Sequence, residues 1–226
     1  GIGRDNVPEK EAFEKGIIVK FPSQDTINFI YEETANFTCG LIFRMLYNNI
    51  GSLDPWVKTT RQQLSKKKLL VIGLGNIGIR VSERMKHFMT VSTFDILHNN
   101  PKNLQSLITL ADCVTLHIPK NEENQSFMDL KKLSWMKDGA SLINTARGPI
   151  VDENALYNEI KNGRLKAAFD VFWNEPYKGK LKEFYPDYFY MTPHVASTCS
   201  DFLKGCRIDL IQFINDLNSK GTLDKK

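Results

Sequence analysis

The amino-acid sequence predicts an α/β fold in which a doubly wound parallel sheet carries helices on both faces. From residue 69 onward, six short apolar or β-branched runs alternate with segments of helical periodicity. A glycine-rich turn, Gly73–Gly78, directly follows the first of these runs. At 226 residues the chain is long enough to bury a core without disulfides or a metal ion.

The first part of the chain has a different pattern. A candidate strand covers Gly16–Phe21, and apolar residues then recur at helical spacing from Ile27 to Ile50, which predicts a long amphipathic helix. Gly51 marks the end of this helix. Three residues are suited to cap its N-terminus: Ser23, Asp25 and Thr26.

The predicted sheet follows. Its strands are Leu69–Ile72, Thr90–Phe94, Cys113–Leu116, Ala140–Asn144, Leu165–Phe169 and Phe189–Met191. The predicted helices are one that ends at about Phe88, then Leu104–Leu110, Leu130–Met136, Glu153–Ile160 and Thr198–Leu217. Strands that alternate with helices need crossover connections, so the sheet is expected to be parallel and of the type that binds dinucleotides.

Composition and charge narrow the function. The net charge is +4, and the densest basic run, Lys66–Lys68, precedes an apolar strand, so we interpret it as a solvated strand entry rather than a nucleic-acid site. None of the four cysteines belongs to a Cys-x-x-Cys pair, so we expect reduced thiols, a cytoplasmic location and no metal. No apolar run approaches the roughly 20 residues that span a bilayer, and no signal peptide is visible.

The glycine-rich turn has the residues that a pyrophosphate site requires. Gly73 permits a tight turn from strand to helix, Gly75 lets the backbone approach a phosphate, and Gly78 lets the helix pack closely on the strand. The helix that follows offers free N–H groups and the positive end of its dipole. Asp95, at the end of the second strand, can accept hydrogen bonds from ribose hydroxyls and would repel a 2′-phosphate, so NAD is favoured over NADP.

Polar side chains follow the last three strands, in segments 144–148, 170–176 and 192–197. The carboxyl ends of parallel strands lie at one sheet edge, where ligands of such folds bind. Arg147 could hold a carboxylate and polarise a ketone, His194 could donate a proton, and Glu175 could orient the imidazole. Taken singly, these residues could instead be a surface ion-pair partner, a loop histidine and a turn residue. Beside a cofactor site they favour hydride transfer to a 2-keto acid.

The chain resembles the D-isomer-specific 2-hydroxyacid dehydrogenases. The segments that carry the resemblance are Gly73–Gly78 with Asp95, Ala111–Pro119, Leu142–Gly148 continuing into Val151–Glu153, Phe169–Pro176 and Thr192–Ser197. The resemblance implies an NAD-dependent oxidoreductase that acts on D-2-hydroxy acids, with Arg147, Glu175 and His194 as the catalytic set. An NAD-sensing module of the corepressor type, built on the same fold, is the alternative.

The resemblance also implies a set of cofactor contacts beyond the glycines and Asp95. These are Asn76 and Ile77 at the pyrophosphate, His117 and Pro119 beside the nicotinamide ribose, Thr145, Ala146 and Ser197 around the nicotinamide, Asp170 at its amide, and Arg147 and His194 from the catalytic set.

Family members have a first substrate-domain segment of on the order of a hundred residues ahead of the stretch that Gly1–Val7 resembles, so the resemblance implies that this sequence covers the cofactor half of such a protein without the full substrate cleft. The resemblance therefore divides the chain into residues 1–25, a remnant of a flavodoxin-like substrate domain; residues 26–200, a Rossmann-like NAD-binding domain; and residues 201–226, a helix that crosses back. Its expected partners are a small 2-hydroxy or 2-keto acid and a second copy of the chain, joined through the cofactor domain.

Overall fold

A computed structural model of the chain describes residues 7–219, which form two compact units. One unit contains the residues up to Glu33 together with those from Ser197 onward, and the other contains Thr34–Ala196. The boundary between the units falls inside the long helix near the N-terminus, whereas the boundaries drawn from the family resemblance lie at residues 25 and 200. The elements in chain order are α1 (Glu9–Glu14), α2 (Gln24–Leu46), β1 (Gly51–Ser52), β2 (Val57–Lys58), β3 (Lys68–Ile72), α3 (Asn76–Met85), β4 (Thr90–Phe94), α4 (Leu104–Leu110), β5 (Cys113–Leu116), α5 (Leu130–Ser134), β6 (Ser141–Asn144), α6 (Glu153–Lys161), β7 (Lys166–Phe169), β8 (Phe189–Met191) and α7 (Ser200–Ser219).

The larger unit is built on a six-stranded sheet in the order β4-β3-β5-β6-β7-β8, in which every neighbouring pair is parallel. This confirms the predicted doubly wound α/β fold. From β3 the chain passes to β4 on one side and returns to β5 on the other, so the strand order reverses at β3. In open α/β sheets such a reversal opens a crevice at the carboxyl ends of the strands, and ligands bind there.

Two apolar clusters cover the two faces of the sheet. Leu69 and Val71 of β3 belong to one cluster, to which α3 and the C-terminal half of α2 contribute. Leu70 and Ile72 belong to the other, which includes residues of α4, α5 and α6. Because both faces are covered, β3 is a continuous apolar run rather than an alternating one. The apolar side chains of α2 within the larger unit pack against this face of the sheet; Ile42 is fully buried, whereas Phe37, Phe43 and Leu46 are partly buried.

The smaller unit contains α1, the N-terminal part of α2 and α7. The Ser23 hydroxyl accepts a hydrogen bond from the N–H of Thr26 at 3.3 Å and so caps α2. The N–H of Ser23 donates to Asp209 of α7 at 2.7 Å. Gly205 of α7 lies so close to α2 that a Cβ atom there would be 2.6 Å from the hydroxyl of Thr26.

The predicted strand at Gly16–Phe21 is wrong, since these residues are irregular and follow the short helix α1. Their composition suits a strand, but no other segment within residues 7–219 pairs with them. The sequence analysis also missed the hairpin of β1 and β2, whose two-residue strands are too short to show a period. Residues 1–6 and 220–226, which include parts of the two predicted terminal segments, lie outside the described residues. Within residues 7–219, no helix combines the length and hydrophobicity needed to cross a membrane.

Candidate active site

Two of the three glycines in the turn after β3 are needed because the backbone of the chain packs too closely against them to leave room for a side chain. Gly73 has a φ of +93°, and a Cβ atom there would lie 2.6 Å from the carbonyl oxygen of His117. A Cβ atom at Gly78 would overlap the carbonyl oxygen of Gly73. A side chain at either position would therefore displace the backbone of the turn.

Gly75 differs from its neighbours because a Cβ atom there would meet nothing within 4 Å. The chain's own packing therefore does not explain a glycine at this position, whereas close approach of a ligand does. Gly75 is the N-cap residue of α3, and no side chain within the described residues caps this helix end. The first N–H groups of the helix, on Asn76 and Ile77, thus belong to an uncapped helix N-terminus, the kind of helix end that binds phosphate groups.

Asp95 lies beside this turn at the end of β4. One of its carboxylate oxygens accepts a hydrogen bond from the N–H of Leu74 at 2.7 Å, and the other accepts from Leu97 at 2.9 Å. The N–H of Leu74, with further help from Leu97 and the charge of His98, holds the pKa of the Asp95 carboxyl below its usual value. Each oxygen keeps a second lone pair with which to accept a hydrogen bond from a ribose hydroxyl.

We expect the charge of Asp95 to select against a 2′-phosphate. The wild-type chain should bind NADH at least ~10-fold more tightly than NADPH, since two like charges held close together cost about 1 kcal/mol or more. Asp95→Asn should narrow that ratio, because the amide keeps an acceptor oxygen but loses the charge. Fluorescence titration with both cofactors measures the ratio, and Asp138→Asn, at an 86% exposed side chain, is the matched control. Equal affinity of the wild-type chain for NADH and NADPH would show that Asp95 has no such role.

His117 lies beneath the same turn, directly after β5. It is partly buried, and its Nε2 is 3.0 Å from the hydroxyl of Thr115, which is fully buried. Burial lowers the pKa of His117 from 6.5 to about 3. The ring is therefore neutral near pH 7 and offers a cofactor no positive charge.

This burial predicts a pH dependence of stability. Below about pH 6.5 the unfolded chain protonates this histidine but the folded chain does not, so stability falls by about 1.4 kcal/mol per pH unit until the pH approaches 3. His117→Asn should remove about 2 kcal/mol of the loss between about pH 7 and about pH 5. Urea unfolding at both pH values measures this change in the free energy of unfolding, and His87→Asn, at an exposed histidine, is the control. An unchanged pH dependence in His117→Asn would contradict the assignment.

Asn144 holds the segment that carries Arg147. Its side chain is fully buried; the amide nitrogen donates to the carbonyl oxygen of Arg147 at 2.8 Å, and the amide oxygen accepts from the N–H of Ala146 at 3.0 Å. The guanidinium group of Arg147 donates to the carbonyl oxygen of Ala146 at 2.8 Å. The short loop after β6 is therefore fixed by a side chain of the strand itself.

Thr145 of this loop is tied to α2 by a pair of hydroxyls. The Thr38 hydroxyl donates its one hydrogen to the carbonyl oxygen of Thr34 at 2.7 Å and lies 2.8 Å from the Thr145 hydroxyl. Thr145 must therefore be the donor in the second bond, because Thr38 has no further hydrogen. What remains on Thr145 is acceptor capacity, which suits an N–H donor such as a carboxamide.

His194 and Glu175 form a hydrogen-bonded pair. Nδ1 of His194 is 2.8 Å from one Glu175 carboxylate oxygen, and the other oxygen accepts from the N–H of Phe172 at 3.0 Å. Both side chains are only partly covered, with exposed fractions of 43% and 39%. Since Nδ1 is occupied, Nε2 is the atom that His194 has free for a ligand.

Asp170 anchors the loop that carries His194. The residue is fully buried, and its carboxylate accepts three hydrogen bonds from that loop: from the Thr192 hydroxyl at 2.6 Å and from the N–H groups of Val195 and Ala196 at 2.9 Å each. These donors lie on both sides of His194, whose φ is +54°, a conformation that non-glycine residues seldom adopt. Asp170 therefore fixes where the imidazole is presented.

The structure thus brings together much of the predicted site. Glu175 meets His194, Asp95 meets the glycine turn, and His117 lies against it. Pro119 follows His117 and is exposed, while Ser197 begins the other compact unit. The sequence analysis named the segments that contain Asn144 and Thr192 without giving these two residues a role, and it missed the positioning residue Thr38. Only Asn144 had a local signal, as a polar residue that ends an apolar strand.

Comparisons with known proteins identify the family of this chain. A family model described as "D-isomer specific 2-hydroxyacid dehydrogenase, NAD binding domain" matches residues 51–196. The chain is similar to a hydroxypyruvate reductase of Thermotoga maritima, with 31% identity over 95% of this chain and 74% of the reductase. It is 33% identical to a D-3-phosphoglycerate dehydrogenase of Bacillus subtilis over 78% of this chain, but spans only 36% of that enzyme.

A solved structure extends the likeness to the fold. The D-lactate dehydrogenase of Aquifex aeolicus, crystallised with NAD and lactic acid, matches with a TM-score of 0.79 and 26% identity, over 99% of this chain and 76% of that one. These matches confirm the predicted NAD-binding domain and its cofactor, NAD. The chain belongs to the D-isomer-specific 2-hydroxyacid dehydrogenase family.

Proposed function

We propose that the protein is an NAD-dependent oxidoreductase that interconverts 2-keto acids and D-2-hydroxy acids. The observation that carries the proposal is the His194–Glu175 pair, 2.8 Å apart, at the same edge of the sheet as the open cradle at Gly75. A proton donor and a dinucleotide cradle at one edge are the two components that reduction of a ketone requires.

The residues would divide the chemistry as follows. NADH, when bound, supplies the hydride for the carbonyl carbon. Arg147 would hold the substrate carboxylate in its planar guanidinium fork and draw electron density from the ketone. His194 would give the proton on Nε2 to the carbonyl oxygen. Glu175 would keep the ring oriented through Nδ1, which leaves Nε2 for the carbonyl oxygen.

The test is oxidation of NADH by a panel of 2-keto acids, with chiral chromatography of the product. We expect NADH absorbance to fall and the D-enantiomer to accumulate. Because the chain spans only part of its relatives, the assay should be run on this chain and on the longest natural product that contains it. Tight NADH binding without oxidation by any keto acid in either protein would overturn the proposal.

We further propose that the chain forms a homodimer through its cofactor domain. The apolar residues of α2 within the larger unit already pack against the sheet, so the support comes from the hairpin of β1 and β2. At its turn, Leu53 and Trp56 are 81% and 75% exposed, and Ile50 and Val57 beside them are also exposed. Sedimentation at micromolar concentration should give a dimer that Trp56→Ser weakens; a monomeric wild-type chain would contradict this.

The cytoplasmic location stays a prediction, and it is supported by the four cysteines, all of which are unpaired thiols. The expectation that the protein does not bind nucleic acid also stays a prediction.

A further inference from the structure

A cleft lies directly beside the His194–Glu175 pair. Its volume is about 590 Å³, within the range of small-molecule sites, and both members of the pair form part of its wall. The aromatic part of the wall comes from the segment between β7 and β8 and consists of Phe172, Tyr177 and Tyr185; the end of β8 and the loop after it complete the wall. The cleft therefore adjoins the atoms that would handle a substrate carbonyl.

Most of the cleft wall consists of rings and other apolar groups, and apart from Nε2 of His194 and the hydroxyl of Tyr185 its polar side-chain groups already have partners. The hydroxyl of Tyr177 donates to Glu153 at 2.7 Å, and that of Thr192 donates to Asp170 at 2.6 Å. Both carboxylate oxygens of Glu175 are engaged, one by His194 and one by the N–H of Phe172. A polar ligand group would have to displace these bonds, whereas an apolar group would not.

The aromatic walls are held in place by stacking. The rings of Phe172 and Tyr177 stack with centroids 4.8 Å apart and planes inclined by 19°. Tyr185 stacks on Tyr190 at 5.8 Å and 20°. A cleft with preformed walls binds an apolar group without the entropic cost of ordering them.

The charge of the cleft disfavours a substrate side chain that carries a phosphate. Among the described residues that line it, none is Lys or Arg, and Glu175 contributes a carboxylate. A phosphorylated keto acid that placed its phosphate here would meet the Glu175 carboxylate and no Lys or Arg side chain. The cleft thus disfavours phosphate-bearing substrates.

We propose that this cleft receives the side chain of the substrate and selects 2-keto acids with a large apolar or aromatic group. The inference rests on the proposed function, since it takes the His194–Glu175 pair as the catalytic end of the site. Tyr185, half exposed at 49%, is then a specificity-determining residue that closes one side of the cleft.

The test compares pyruvate, phenylpyruvate and 3-phosphohydroxypyruvate with NADH. We expect kcat/KM to be at least ~10-fold higher for phenylpyruvate than for pyruvate, and lowest for the phosphorylated acid. Tyr185→Ala should reduce the phenylpyruvate-to-pyruvate ratio by about tenfold, and Tyr185→Phe should keep it because the wall remains. Tyr188→Ala is the matched control, since Tyr188 is similarly exposed at 46% but lies outside the cleft.

Calorimetric binding of phenylpyruvate in the presence of NADH separates the two proposals. If no keto acid is reduced but phenylpyruvate binds and Tyr185→Ala weakens it, the cleft is supported and the proposed dehydrogenase function fails. If keto acids are reduced with no preference for phenylpyruvate, or if Tyr185→Ala and Tyr188→Ala behave alike, the cleft proposal is overturned and the function stands. Absence of both binding and turnover overturns both.

Discussion

Replacing His194 with alanine should lower kcat for keto-acid reduction by at least ~10²-fold while affecting the Kd for NADH far less. The expectation follows from the ring's connections. Nδ1 is bound to Glu175 at 2.8 Å, so Nε2 is the proton donor, and alanine leaves the developing alkoxide without one. Stopped-flow measurement of NADH oxidation gives kcat, and fluorescence titration gives Kd.

Two variants sharpen this result. Glu175→Gln retains a hydrogen-bonding partner for the imidazole but removes the negative charge beside it, so its kcat should fall less than that of His194→Ala. His98→Ala, at an exposed histidine beside the cofactor cradle, controls for loss of a ring near NADH. The corepressor-type alternative makes the opposite prediction. A sensor needs only to bind NADH, so His194→Ala would keep the function of the protein.

The sheet and the cofactor cradle could be predicted because their signals are local. Leu69–Ile72 is a continuous apolar run because helices cover both faces of β3, and the three glycines of the turn that follows lie within six residues of chain. The backbone at Gly78 packs on Gly73, five positions earlier, while Gly73 has a positive φ and also packs on His117 of the neighbouring strand end. Periodicity and spacing report such features directly.

The positioning roles of Thr38 and Thr192 could not be predicted, because their partners are far away in sequence. Thr38 meets Thr145 across 107 positions, and Thr192 meets Asp170 across 22. Nothing in the sequence around Thr38 distinguishes it from any other polar residue on a helix. The false strand at Gly16–Phe21 has the same origin, because its composition is that of a strand but a strand also needs a partner that only the fold supplies.

Asp170 gives the second large expected effect, and this one falls on stability as well as on activity. Asp170→Ala leaves the Thr192 hydroxyl and two backbone N–H groups without their buried acceptor, which should lower the free energy of unfolding by about 2–4 kcal/mol. Since those donors flank His194, kcat should fall even where the variant is fully folded. Urea unfolding and NADH oxidation below the unfolding transition measure the two effects separately.

A graded series tests whether Asp170 acts as an anchor or merely fills space. Asp170→Asn keeps the volume of the side chain, but its NH2 group replaces one acceptor oxygen and faces an N–H group of the loop. The stability and kcat of Asp170→Asn should therefore be no closer to those of the wild type than the values for Asp170→Ala are. Thr192→Val removes one of the three donors and should cost only about 1 kcal/mol, since the backbone bonds remain. Asp187→Ala, at an exposed position before β8, should change stability by less than about 0.5 kcal/mol. If Asp170→Asn were as stable and as active as the wild type, volume alone would matter, and the position of His194 would have to be set by its bond to Glu175.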